Sequence, residues 1–252
     1  MVVAAGCTDV GCVREHNEDH ILVDVTEQFF IVADGMGGER GGAEASRIAV
    51  ETVQECFTNT SPVGDASWPF GYLNNLDLVQ NRMLTAIKLA NRTIRIAAQA
   101  DEFEGMGSTL VVLYVRGNIA VLGSVGDSRI YLCRSGALRQ VTHDDSYIGD
   151  LLQAGAITEA EAAIDPHRNM LTEAVGARDD IKVEVSELEL VDGDRLMMCS
   201  DGLHGVVEDE VIEKALSVRQ DPDATTRYLV ARARRAGGPD NISCIVIDYK
   251  GR

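Results

Sequence analysis

Apolar positions along the chain follow two periods, and the switches between them mark the elements. Phe29-Phe30-Ile31-Val32-Ala33 is continuously apolar and rich in β-formers, the pattern of a buried strand, and it runs directly into Asp34-Gly35-Met36-Gly37-Gly38. Residues 21–25 and 28–33 read as a hairpin delivering Asp34. Ala45, Ile48, Ala49, Thr52, Val53 and Cys56 recur at three and four, predicting a helix over 43–57. Val79, Met83, Ile87, Ala90, Ile94 and Ala97 predict a second over about 77–100, its stripe turned to the core. The stretch 59–71, rich in Pro, Gly, Ser and Asn, reads as a loop. From Ser108 the period becomes two or continuous, predicting strands over 109–115, 118–125 and 129–133 in an antiparallel meander. Residues 147–177 read as a polar, helical excursion between two Asp-bearing strands, a candidate movable flap. Strands over 183–190 and 195–199, helices over about 208–217 and 223–236, and a last strand over 242–247 complete the chain. Helices in segregated pairs and strands in meanders predict an α+β fold, antiparallel sheets packed face to face with helices outside. Length and the absence of repeats predict one domain over 1–252.

The formal charge of −17 excludes nucleic acid as a main partner, since phosphate neutralisation needs a basic surface. Arg227, Arg232, Arg234 and Arg235 read as a solvated helix face. The six cysteines form no Cys-x-x-Cys pair, and they read as reduced thiols of a cytoplasmic protein. The N-terminus lacks the basic and apolar regions of a signal peptide, and no apolar run approaches membrane-spanning length.

The chemistry lies in a recurrence. An apolar strand ending in Asp appears at Asp34, again at Gly126-Asp127-Ser128-Arg129, and again at Ser200-Asp201-Gly202; Asp240-Asn241 stands just before the last strand. Aspartates at strand ends, far apart in sequence, suit a hard cation such as Mg²⁺ or Mn²⁺, which prefers carboxylate, carbonyl and water oxygens. Gly35, without a side chain, can add its backbone carbonyl beside Asp34. The segment Arg14-Glu15-His16-Asn17-Glu18-Asp19 offers a guanidinium fork for phosphate beside adjacent carboxylates. Taken alone, it reads rather as a surface salt-bridge cluster.

These motifs resemble those of the bacterial branch of the PPM family, the type 2C metal-dependent Ser/Thr protein phosphatases. The matching pieces are Arg14-x-x-Asn17-Glu18-Asp19, Asp34-Gly35-Met36-Gly37-Gly38, Met106-Gly107-Ser108-Thr109, Gly126-Asp127-Ser128-Arg129, Ser200-Asp201-Gly202-Leu203 and Asp240-Asn241, in family order. The resemblance implies a central β-sandwich between two helical layers and hydrolysis of phosphoserine and phosphothreonine at a binuclear Mn²⁺ or Mg²⁺ centre. Asp34 would bridge the two tight ions, Gly35 would give its carbonyl to one, and Asp201 and Asp240 would complete the pair. Glu18 and Asp19 would act on the ions through water, Arg14 would hold the substrate phosphate, and Asp127 with Asp201 would match a third, weaker metal site. Partners would be proteins phosphorylated by a Ser/Thr kinase, and the chain would act as a monomer. A rival reading keeps the fold as a non-catalytic phosphoprotein-binding module; another makes it a small-molecule phosphoesterase. Two positions depart from the pattern: Glu39 stands where bacterial members commonly carry His, a proposed general acid, and Ser108 replaces Thr. An exposed Glu is ionised near neutral pH and cannot donate a proton. Proton donation is therefore expected from water or from His16, His143 or His167 rather than from Glu39.

Overall fold

The computed structural model describes residues 1–59, 68–162, 164–168, 170–218 and 221–251, without the side chains of 38–40, 58, 59 and 159. In chain order the elements are β1 (Val2–Asp9), β2 (Asp19–Asp24), β3 (Phe29–Met36), α1 (Gly38–Asn59), α2 (Leu78–Ala97), β4 (Gly107–Ser108), β5 (Leu110–Arg116), β6 (Ile119–Val125), β7 (Arg129–Arg134), β8 (Ala137–Gln140), α3 (Tyr147–Gln153), α4 (Glu159–Ala162), β9 (Glu184–Glu189), β10 (Arg195–Cys199), α5 (Asp201–His204), α6 (Asp209–Ser217), α7 (Pro222–Arg235) and β11 (Ile242–Tyr249).

Successive side chains of β3 point to opposite faces, and both faces are covered. Phe29, Ile31 and Ala33 pack with Met83, Ile87 and Ile94 of α2. Phe30 and Val32 pack with Ile130, Leu196 and Ile245 of the opposing sheet. This double burial explains an apolar run without alternation. Two antiparallel sheets result, ordered β1-β11-β10-β7-β8 and β2-β3-β5-β6-β9, with β4 paired to the end of β3. A third apolar cluster joins Met197, Cys199 and Val246 to Leu203, Ile212 and Leu229 of α5, α6 and α7. The layers are therefore helix, sheet, sheet, helix, as expected.

Several local expectations need correction. Strand β7 does not continue the meander: β6 pairs with β5 and β9, whereas β7 pairs with β10 and β8 in the other sheet. The chain crosses between sheets at Gly126, whose φ of +95° is the left-handed conformation that favours glycine. A period-two pattern identifies a strand but not its partner. β1, for which the apolar pattern set no bounds, runs over Val2–Asp9 because it pairs with β11 along its whole length. α1 begins at Gly38 rather than at 43, in a glycine-rich stretch of poor intrinsic helix propensity. α2 starts as predicted, where Asp77 Oδ1 accepts from Gln80 N (2.7 Å) and Asp77 N donates in return to Gln80 Oε1 (2.8 Å). Most of the expected 59–71 loop lies outside the described residues. The 147–177 segment holds α3 and α4 and is tied back through the bridges Ser146↔Leu171 and Ser108↔Val175. All six cysteines are free thiols. Among the described residues, no helix is long and apolar enough to cross a membrane.

Candidate active site

Asp34 is anchored through its backbone. Its N–H donates to Thr109 Oγ1 (3.1 Å), and its carbonyl accepts from Thr109 N (2.8 Å). Across the β2–β3 ladder it faces Asp19, whose Oδ2 accepts from Ser200 Oγ at 2.8 Å. A Cβ on Gly35 would lie 2.0 Å from the Gly42 carbonyl, so only glycine lets the start of α1 approach β3 this closely. Asp201 opens α5, and a Cβ on Gly202 would lie 2.0 Å from the Asn241 carbonyl. Asp240 takes a bond from Arg14 Nη2 on Oδ2 (2.7 Å) and one from Asn241 N on Oδ1 (2.9 Å).

These elements meet at a cleft of about 500 Å³ whose wall includes Arg14, Glu18, Asp34, Gly35, Asp127, Asp201 and Asp240. Of the residues expected to hold metal or phosphate, all but Asp19 are in the wall; Asp19 is buried, 5% exposed. Leu171 of the 147–177 segment and His16 also line the cleft, whereas His143 and His167 do not. The Glu39 side chain lies outside the described residues. Sequence reasoning assigned no role to Asn241. Its amide nitrogen donates to the carbonyls of Val10 (3.0 Å) and His16 (2.9 Å), and its amide oxygen accepts from Glu18 N (2.8 Å), so it fixes the Arg14–Asp19 segment against Asp240. Ser200, His204 and Asp145 were likewise missed. His204 Nε2 lies 2.9 Å from the Asp127 carbonyl. Asp145 exchanges two bonds with Gly126, Gly126 N to its Oδ2 (3.1 Å) and its own N to Gly126 O (2.9 Å). The sequence signal for these was adjacency to a motif and nothing more.

So many carboxylates in one place resist ionisation together. Burial first, and then the charges of Asp19, Asp201, Asp127 and Asp240, push Asp34 well above the usual carboxylate range. Asp19 and Asp127 are each pushed up to about 7, mainly by burial. Burial raises Asp201, helped by Asp240, and it also raises Glu18. His204 is pushed the other way, to about 3, by burial and then by Arg129, so its imidazole is neutral.

Glu18 Oε1, Asp19 Oδ1 and Asp201 Oδ1 are buried without a hydrogen-bond partner. Orphaned carboxylate oxygens are costly, and divalent cations would both satisfy them and relieve the repulsion. No three His, Cys, Asp or Glu side chains among the described residues converge to enclose an ion by themselves. The donors are instead spread round the cleft, which suits a hard cation that takes one or two carboxylates and fills its shell with water. No serine or cysteine is among the lining residues, so the wall offers no Ser or Cys nucleophile.

A two-sheet sandwich with carboxylates gathered at strand ends, and an Arg at the rim, defines a phosphohydrolase of the divalent-cation type. The chain belongs to the protein phosphatase 2C family, whose model matches residues 13–243. It is similar to the serine/threonine phosphatase stp of Listeria monocytogenes, 31% identical with 97% of this chain and 96% of that one covered. It is also similar to the serine/threonine protein phosphatase PstP of Mycobacterium tuberculosis, 34% identical, spanning 97% of this chain but 44% of that protein. Among solved structures, the catalytic domain of PstP in complex with two manganese ions matches with a TM-score of 0.83 at 31% identity, covering 98% of this chain and 97% of that one.

Proposed function

We propose that this chain removes phosphate from phosphoserine and phosphothreonine in proteins, at two Mn²⁺ or Mg²⁺ ions held by Asp34, Gly35, Asp201 and Asp240. The observation that carries the reading is the pair of buried, unpartnered carboxylate oxygens of Glu18 and Asp201 at one cleft, with a guanidinium at its rim. Bound there, the ions supply a water made nucleophilic near neutral pH and neutralise charge on the phosphoryl group. The chain's own residues do the rest. Asp34, held through its backbone by Thr109, would hold the ions together with Asp201 and Asp240 of the same cleft. Glu18 and Asp19 orient water around the ions, with Asp19 held by Ser200. Arg14, half-exposed and now bonded to Asp240, turns its fork to the substrate phosphate. Asp127 and Asp201 hold a third, weaker ion. The 147–177 segment, which gives Leu171 to the cleft wall, acts as the substrate flap of a single catalytic domain. Free thiols support a reducing, cytoplasmic setting, in which the chain works as a monomer against the products of a Ser/Thr kinase.

The test is hydrolysis of a phosphopeptide panel with and without Mn²⁺. Phosphate release from phosphoserine and phosphothreonine peptides that stops in EDTA and returns with Mn²⁺ supports the reading. Turnover undiminished in EDTA would sink it. Binding without turnover would make the chain a phosphoprotein-binding module, and turnover of small esters alone would make it a small-molecule phosphoesterase.

A further inference from the structure

We infer that His204 is a positioning residue: by donating a hydrogen bond to the backbone carbonyl of Asp127, it fixes the separation of the Asp127 and Asp201 carboxylates and so sets the affinity of the third cation. The inference rests on the proposed assignment of that cation to this pair. His204 closes the short helix α5 that Asp201 opens, so the two side chains move as one body. Its Nε2 lies 2.9 Å from the Asp127 carbonyl oxygen. A carbonyl only accepts, so Nε2 carries the proton.

Asp127 stands in the turn where the chain leaves one sheet for the other, at Gly126 with φ +95°. Asp145 clamps that turn from the side of the 147–177 segment, by the pair of bonds it exchanges with Gly126. Thr172 N also donates to the Asp145 carbonyl at 2.8 Å, which carries the clamp onward to the returning end of that segment. His204 ties the same turn to α5. The two aspartates come from elements in different positions of the fold, and a divalent cation tolerates only a few tenths of an ångström in its oxygen distances. A bond that spans the two elements therefore governs whether both carboxylates reach one ion.

Mn²⁺ titration of the metal-stripped full chain, followed by calorimetry and by electron paramagnetic resonance, tests this apart from activity. The parent is expected to show two tight ions and one weaker. His204→Met, which keeps the bulk and removes the donor, should weaken the third ion by about tenfold or more, the range over which residues supporting metal ligands act, and leave the tight pair in place. His204→Gln, whose Nε2 reaches to a similar point, should restore most of the lost affinity. Asp127→Ala should abolish the weak site in every background. An unchanged third site in His204→Met overturns the inference. So does equal weakening by His204→Met and His204→Gln, because packing rather than the donor would then be responsible. A third ion retained in Asp127→Ala overturns the underlying assignment instead. Should His204→Met fail to fold, His204→Asn, polar but too short to reach the carbonyl, carries the same comparison.

Discussion

Arg14 and Asp240 hold each other at 2.7 Å, yet their proposed roles separate cleanly. Arg14→Ala removes a charged hydrogen bond to the phosphate, worth about 1.5–3 kcal/mol, so KM for a phosphopeptide should rise about ten- to hundredfold with kcat much less affected. Asp240→Asn should lower Mn²⁺ affinity and turnover together. Steady-state kinetics at several Mn²⁺ concentrations distinguish the two, and an unchanged KM in Arg14→Ala refutes the phosphate role. The residues that carry charge at this scale were legible in the chain, because an Asp after an apolar strand is a local pattern. Asn241 was not legible. Its three bonds reach Val10, His16 and Glu18, more than 220 residues away along the chain.

Elements are placed against each other by close backbone approach. A Cβ on Gly202 would overlap the Asn241 carbonyl, so Gly202→Ala must push α5 off the start of β11 and take Asp201 with it. The expected result is a loss of about 1–3 kcal/mol in stability with a marked loss of Mn²⁺ affinity. Thermal melts with and without Mn²⁺ read both quantities, and a variant that binds Mn²⁺ like the parent contradicts the account. Asp77→Ala is the contrasting case. It removes the capping box of α2, at a cost of about 1 kcal/mol, and should lower the melting temperature of the metal-free and metal-loaded forms alike without changing turnover. Helix stripes and strand periods predicted most elements here. The sheet to which β7 belongs escaped, because β5, β6 and β7 show the same local pattern and differ only in what packs on them.

For the whole molecule, the crowded carboxylates make stability depend on pH with a sign set by the metal. Asp19 and Asp127 titrate at about 7 in the metal-free fold, against about 3.9 for an unfolded Asp. The native state thus binds more protons than the unfolded one between those values. This contribution to stability is fully present below the unfolded value and is lost as pH rises through about 7. The metal-free protein should therefore melt higher at pH 6 than at pH 8. With Mn²⁺ bound, the carboxylates are held ionised and acidification expels the ions, so the slope should reverse. Calorimetric melts across this range check it, and equal slopes for the two forms refute it.

By itself, the order of residues determined the apolar periods, the strand-to-Asp junctions and the motif series that resembles type 2C phosphatases, because each is carried by a few neighbouring side chains. Only the tertiary structure decided that β7 leaves the sheet of β6, that Asp19 is buried rather than part of the cleft wall, and that Asn241, Ser200 and His204 hold the acidic segments in place. Those contacts join residues far apart in the chain, and their energy comes from packing and hydrogen bonds that exist only once both sheets have closed on one another.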